Sequence, residues 1–250
     1  MANKYISLQG RFYLAEISAG VAGALRFIGN VPEFTLEIGA DILEHKESTT
    51  GQRTTDFTMV QTTSVNFSGQ LEEIDKENLQ YILSGKNHTV TGSTVEAQSL
   101  GTVKAGEEIK LDGYNLTQVS FTDSAEPAAT IDESKYTLDP VFGTVIFKDV
   151  AGITTPVKAT YTKGAVTHTT FASDFSKEYM LFFKGVNTAN GDNVAVTLHR
   201  TKKSPETEFP LIHEELGQYA ISGQALSDAS KAVDGELGLY GYFVTIPAAA

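Results

Sequence analysis

The sequence predicts a mainly β protein with long hairpins, one α-helix and an inserted small β-domain. Three observations predict it. Two unusually long runs, Glu33 to Glu44 and Phe57 to Gly69, alternate apolar and polar residues. One segment, Glu72 to Leu83, has a helical period. From Asn87 to Thr170 the texture changes to short strands and turns.

The long runs carry most of the information. In the first, Phe34, Leu36, Ile38, Ala40 and Ile42 point one way, and Glu33, Thr35, Glu37, Gly39 and Asp41 the other. In the second, Phe57, Met59, Val65 and Phe67 oppose Thr58, Thr62, Ser64, Asn66 and Ser68. A period of two marks a sheet with one buried face and one wet face. Each run is about 11 to 13 residues, where strands average about 5 to 6. At about 3.4 Å per residue that is roughly 35–40 Å of strand. The apolar faces are expected to pack inside the molecule. The acidic and hydroxyl-rich faces suit the wall of a polar channel, or more plainly an ordinary solvent-facing sheet. Long free edges invite aggregation, and closing the sheet through neighbouring copies removes them. The joining loop, His45 to Thr55, is longer than a tight turn requires, which fits a mobile loop or a contact arm.

The other elements follow in order. Gln9 to Ile17 reads as a strand, and Ser18 to Ala24 as a small, Gly-rich connector. Pro32 is tolerated near a strand start. In the helix, Asp75 is the expected N-cap, acidic residues crowd the first turn, and Leu79, Ile82 and Leu83 form the apolar stripe. Ser84-Gly85 ends it. The next segment shows strands near Glu107–Leu111, Val119–Thr122, Tyr136–Leu138, Thr144–Phe147 and Val157–Thr162, with a Pro–Gly turn inside Tyr136 to Phe147. Then come Glu178–Val186, a turn at Thr188–Asn193, and Val194–Thr201, where Thr197 opposes Val196 and Leu198. Lys202 to Phe209 reads as a polar connection. Leu211 to Ala225 reads as a strand with Ala220, Ser222 and Gln224 on its polar side. Ser227 to Gly235 is an expected turn and Glu236 to Ile246 the last strand. The predicted domains are 1–87 with 169–250, interrupted by 88–168.

Composition narrows the function. The chain has 250 residues, 41% hydrophobic and 20% charged, enough for a real core. No apolar run reaches the length of a membrane-crossing helix. The first ten residues lack the layout of a signal peptide. With no Cys there is no disulfide framework or thiolate metal site, and a reducing compartment is permitted. A net charge of −12 favours solubility and disfavours gripping a nucleic-acid backbone. No phosphate-binding glycine motif occurs. His213-Glu214-Glu215 lacks the second His of a zinc-protease helix, and the five His residues share no spacing. No GxSxG elbow is present. Neighbouring carboxylates such as Glu72-Glu73 and Glu107-Glu108 face opposite sides of a strand and form no acid–base pair. The expectation is no enzyme, no cofactor and no metal.

One resemblance adds to this reading. It is carried by Gly10-Arg-Phe-Tyr-Leu14, Leu25-Arg-Phe-Ile-Gly-Asn-Val-Pro-Glu33, Glu44-His-Lys-Glu-Ser-Thr-Thr-Gly-Gln-Arg53 and Phe67 to Leu83 with its helix. Together these segments resemble the major tail protein of long-tailed bacteriophages, the tail tube subunit. The likeness covers about residues 10–85 and 175–245. It implies a tail-tube β-sandwich or barrel whose two long hairpins join those of neighbours. It implies rings, usually hexameric, stacked into the tube of the virion tail and assembled in the bacterial host cytoplasm. Viral DNA would pass through without specific binding. The implied partners are further copies, the tail tip, tape measure and tail terminator proteins, and no membrane. On this reading Glu33, Thr35, Glu37, Asp41, Thr62, Ser64, Asn66, Ser68, Thr197, Ala220, Ser222 and Gln224 face the lumen. Lys46, Glu47, Ser48, Thr49, Thr50, Gly51, Gln52 and Arg53 form an inter-ring loop. The insertion would lie outside the tube, and it lacks the Cys and Trp of true immunoglobulin domains. Two alternatives stay open. One is the tube of a phage-tail-like bacteriocin or secretion apparatus. The other is a carbohydrate-binding β-sandwich module, which would expose a patch of aromatics.

Overall fold

The computed structural model describes residues 4–205, 208–231 and 235–247. Parts of the expected Lys202–Phe209 connection and Ser227–Gly235 turn lie outside the described residues. The protein is mainly β. In chain order the strands are β1 (Leu8–Ser18), β2 (Val21–Ala22), β3 (Arg26–Phe27), β4 (Phe34–Lys46) and β5 (Thr55–Leu71). The helix α1 (Lys76–Leu83) follows, then β6 (Asn87–Val90), β7 (Ser93–Gly101), β8 (Glu108–Lys110) and β9 (Thr117–Thr122). Next are β10 (Tyr136–Asp139), β11 (Thr144–Phe147), β12 (Val157–Lys163) and β13 (Val166–Thr169). The last are β14 (Glu178–Asn187), β15 (Asn193–Lys203), β16 (Tyr219–Leu226) and β17 (Gly241–Ile246). The chain divides into two compact units, Met1–Lys86 with Thr169–Ala250, and Asn87–His168.

The first unit is one antiparallel sheet in the order β2-β1-β14-β15-β16-β5-β4, with β3 on β1 and β17 on β15. Its inner face holds the core. Phe12 and Leu14 of β1 pair with Phe183 and Leu181 of β14, and all four are buried. Val194 and Leu198 of β15, Ile221 and Ala225 of β16, and Phe67 and Leu71 of β5 continue the same cluster. Gly223 stands opposite Phe67, and a Cβ there would lie 2.5 Å from the ring, so only glycine leaves the ring its place. The helix closes the cluster with Tyr81 and Ile82. Its N-cap is Asp75, whose carboxylate accepts from the Asn78 N–H at 2.6 Å. Asn78 is buried yet fully used. Its amide donates to the Ile28 and Glu73 carbonyls and accepts from Arg26. The buried face is therefore Asn78, Tyr81 and Ile82 rather than the expected Leu79, Ile82 and Leu83, and the last two flanking leucines are half-buried.

The second unit packs two three-stranded sheets, β10-β11-β8 and β7-β12-β9, around its own core. Phe121, wholly buried, meets Tyr136 and Phe147 edge-on at 4.7 and 5.5 Å. The Tyr161 hydroxyl donates to Gln98 and accepts from the Asp112 N–H. A two-stranded ribbon pairs β6 with β13, and across it the His88 and His168 rings stack at 5.3 Å. The strands β6, β7 and β13 escaped the sequence reading.

Candidate functional site

The outer face of the first sheet bears the residues singled out from sequence. Antiparallel partners share a face, so the register assembles them into transverse rows. Thr35 pairs with Ser68, and Ser68 with Ser222. Glu37 pairs with Asn66, Asn66 with Gln224, and Gln224 with Lys202, one row across four strands. Gly39 meets Ser64, and Asp41 meets Thr62, whose hydroxyl donates to the carboxylate at 2.6 Å. Ala220 pairs with Gln70, whose N–H donates to the Glu33 carbonyl. All these predicted positions except Thr197 are exposed or half-exposed. A groove of about 780 Å³ runs over the two central rows.

Three corrections accompany this face. Thr197 is buried, 6% exposed, between its partners Phe182 and Tyr242, and takes no part in the exposed wall. A bulge explains the second. On β14 two steps separate Tyr179 from Leu181, while on β15 three steps separate their partners Thr201 and Leu198. The side chains after it change sides. That turns Thr201 into the core and puts Lys202 on the polar wall, a cation the sequence reading missed. Arg200 also falls beyond the bulge, but Glu178 holds it bidentately at 2.8–3.0 Å. The third correction is a bulge in β5, where Asp41 faces Thr62 but Ile42 faces Val60. Phe57 and Met59 therefore lie on the polar-wall side, not with Val65 and Phe67, and Thr58 takes the opposite side.

The apolar side of the hairpin departs furthest from expectation. Phe67 is buried, and Phe34 and Val65 pack against the core. Beyond them the side chains are uncovered. Ile38 is 82% exposed, Ile42 59%, Val60 55% and Leu36 39%. The expected packing of Leu36, Ile38, Ile42, Phe57 and Met59 inside the molecule is not found, because the hairpin extends past β16, which pairs with β5 only from Leu71 to Val65, and nothing among the described residues covers its far part. β4 is also the last strand of its sheet, so its outer edge has no strand partner among the described residues.

The loop from Lys46 to Arg53 is organised by one side chain. The Glu47 carboxylate accepts from the Thr49 N–H at 2.7 Å, the Thr49 hydroxyl at 2.8 Å, the Thr50 N–H at 3.0 Å and the Thr50 hydroxyl. Those bonds, the Thr50 hydroxyl first, hold its pKa down to about 2. Gly51 and Arg53 take left-handed backbone angles to complete the turn. At its root His45 and Asp56 meet at 2.6 Å. Behind the wall, burial lowers the pKa of Lys203, whose ammonium donates to Ser84 and Ser204.

The strand expected from Leu211 begins only at Tyr219. Residues 211–218 have no strand partner among the described residues, and Leu211, Ile212 and Leu216 are 84%, 91% and 89% exposed. Among the described residues no group of three His, Cys, Asp or Glu side chains could hold a metal ion. No helix among them is long and apolar enough to cross a membrane.

What fold and surface define is a mainly β, two-unit protein whose first sheet has a polar outer wall and an uncovered apolar hairpin. The chain matches the family described as "Protein of unknown function UCP028589" over residues 5–244 and belongs to it. No curated protein matches the chain.

Proposed function

We propose that this protein is a structural tube subunit that polymerises with copies of itself, as the major tail protein of long-tailed bacteriophages does, and that it performs no catalysis. The observation that carries the reading is the β4–β5 hairpin. Its outer edge is unpaired among the described residues, and Leu36, Ile38, Ile42 and Val60 are uncovered along one side. A monomer that keeps such a hairpin in water exposes an edge that templates pairing with other chains. A neighbouring copy offers the matching strand and apolar cover, and rotation about an axis closes the sheet into a barrel with no edges left.

In such a barrel the transverse polar rows face the lumen. Each copy contributes Glu33, Glu37 and Asp41, offset in part by Lys202. DNA carries about one charge per 1.7 Å, so a wall with a net negative charge and many hydroxyls repels the duplex gently and offers it nothing to bind. This supports passage of a genome without specific recognition, in a virion tail assembled with tip, tape measure and terminator proteins. The test is sedimentation velocity and negative-stain microscopy of the purified full chain over a concentration series, with and without a tail-tip seed. Rings or tubes are expected. A monomer at millimolar concentration, seeded or not, would overturn the proposal.

A further inference from the structure

The first unit gathers uncovered apolar side chains at two opposite ends. One end is the hairpin tip, where Leu43, Phe57 and Met59 are 42%, 55% and 47% exposed. At its turn two cations, Lys46 and Arg53, make no ion pair among the described residues; the Glu47 carboxylate between them keeps its charge while it accepts from Thr49 and Thr50, and the Glu44 and Asp56 carboxylates stand on the flanking strands, Asp56 against His45. The other end is residues 211–216, with three aliphatic side chains almost fully in water. Its spare charge is negative, since Glu214 and Glu215 also make no ion pair among the described residues. This segment is anchored at its root. The Phe209 ring stacks on Tyr219 at 4.7 Å, His213 reaches the Tyr219 hydroxyl at 3.3 Å, and Gln218 donates to Glu72 at 2.9 Å.

The register separates these ends. Tyr219 pairs with Leu71 at the foot of β5, and the tip lies beyond Thr55 at its head. At about 3.3 Å per residue the strand between them spans roughly 50 Å. The two surfaces cannot meet within one molecule. They complement each other in charge and in apolar character, so they can meet between two.

We infer that the hairpin tip of one copy seats on residues 211–216 of the next copy, Lys46 and Arg53 against Glu214 and Glu215, with the aliphatic side chains on Leu43, Phe57 and Met59. This rests on the tube reading and names the surface that receives the loop. The contact joins two different patches, so a joined pair keeps one free tip and one free receiver, and association repeats in one direction instead of closing as a two-fold pair. The pairing also sets polarity, because a receiver-to-receiver contact would bring the Glu214 and Glu215 carboxylates of two copies together.

The experiment uses full-length variants with reversed charges. K46E/R53E has an acidic tip and an acidic receiver. E214K/E215K keeps Lys46 and Arg53 at its tip and has a basic receiver. Each alone is expected to fold, by circular dichroism and thermal melting, and to need at least tenfold more protein than the wild type to elongate. An equimolar mixture is expected to elongate at wild-type concentration, because each variant's tip then finds the opposite charge on the other's receiver. A cysteine pair, R53C with E215C, in a chain without native cysteines, is expected to form a ladder of disulfide-linked copies on oxidation. Normal elongation of either charge variant alone, failure of the mixture, or absence of the ladder in formed tubes would overturn this contact and leave the tube reading standing. Failure of the wild type to elongate at all would overturn the tube reading and this contact with it.

Discussion

Replacing Ile38 by Asp separates folding from assembly. Burying an isoleucine side chain is worth about 1.5–3 kcal/mol. Ile38 is 82% exposed in the single molecule, so nearly all of that gain, about 1.2–2.5 kcal/mol, is left for a neighbour to supply. Asp forfeits it and adds an unpaired carboxylate to an apolar contact. Together these cost about 3–5 kcal/mol per contact, a loss of at least about a hundredfold in each association constant. A closed ring repeats the loss at every interface. The lone subunit meets none of it. An exposed strand position changes stability by at most about 1 kcal/mol, a shift of roughly 2–4 °C in melting temperature for a chain of this size. Phe67→Ala is the contrast. Phe67 is 2% exposed, and its truncation costs about 3–5 kcal/mol of folding stability. Thermal melting paired with sedimentation velocity reads both quantities. Ile38→Asp should melt near the wild type and remain unassembled. Tubes at wild-type concentration would refute the reasoning, and so would a melting loss as large as that of Phe67→Ala, which would place residue 38 in the subunit core.

Further outcomes test other surfaces. Glu37→Lys with Asp41→Lys should leave a folded, assembling subunit, since both side chains are exposed. DNA release from assembled particles should slow, most at low salt where the Debye length exceeds about 8 Å, and an unchanged rate at low salt would mean this face does not line the channel. Excision of residues 87–168 should leave assembly intact, because the core of the first unit draws on none of them; insoluble product from several junctions would count against it. The Glu47 carboxyl is held down to about 2 from an ordinary value near 4.5. Its folded pKa is depressed, so its contribution to loop order is complete above the ordinary value and fades as pH falls toward about 2. Amide exchange at Thr49 and Thr50 should follow that window in the wild type and lose it in Glu47→Gln, and an identical profile in both would contradict the assignment.

How far the sequence reaches depends on what each pattern encodes. Alternation gave both long strands of the hairpin, because a period of two over that length leaves no other regular structure. It could not locate the β5 bulge, which falls in Gln61-Thr62-Thr63-Ser64, where every residue is polar and a one-residue slip leaves the pattern unchanged. The same blindness hid Lys202, turned outward by the β15 bulge. Residues 211–216 read as strand because Leu211, Ile212 and Leu216 look like core, yet a strand also needs a partner, and the sheet supplies one only from Tyr219. The hairpin shows the deeper limit. Ile38 and Phe67 belong to the same alternating pattern and lie on the same side of neighbouring strands, but one is bare and the other buried. Periodicity records that a side chain is built to leave water. It does not record whose surface receives it. Within the first unit the apolar side of the hairpin outruns the body that should cover it, and on the proposed tube reading it is another copy of the chain that receives the row of aliphatic residues kept in register past that point.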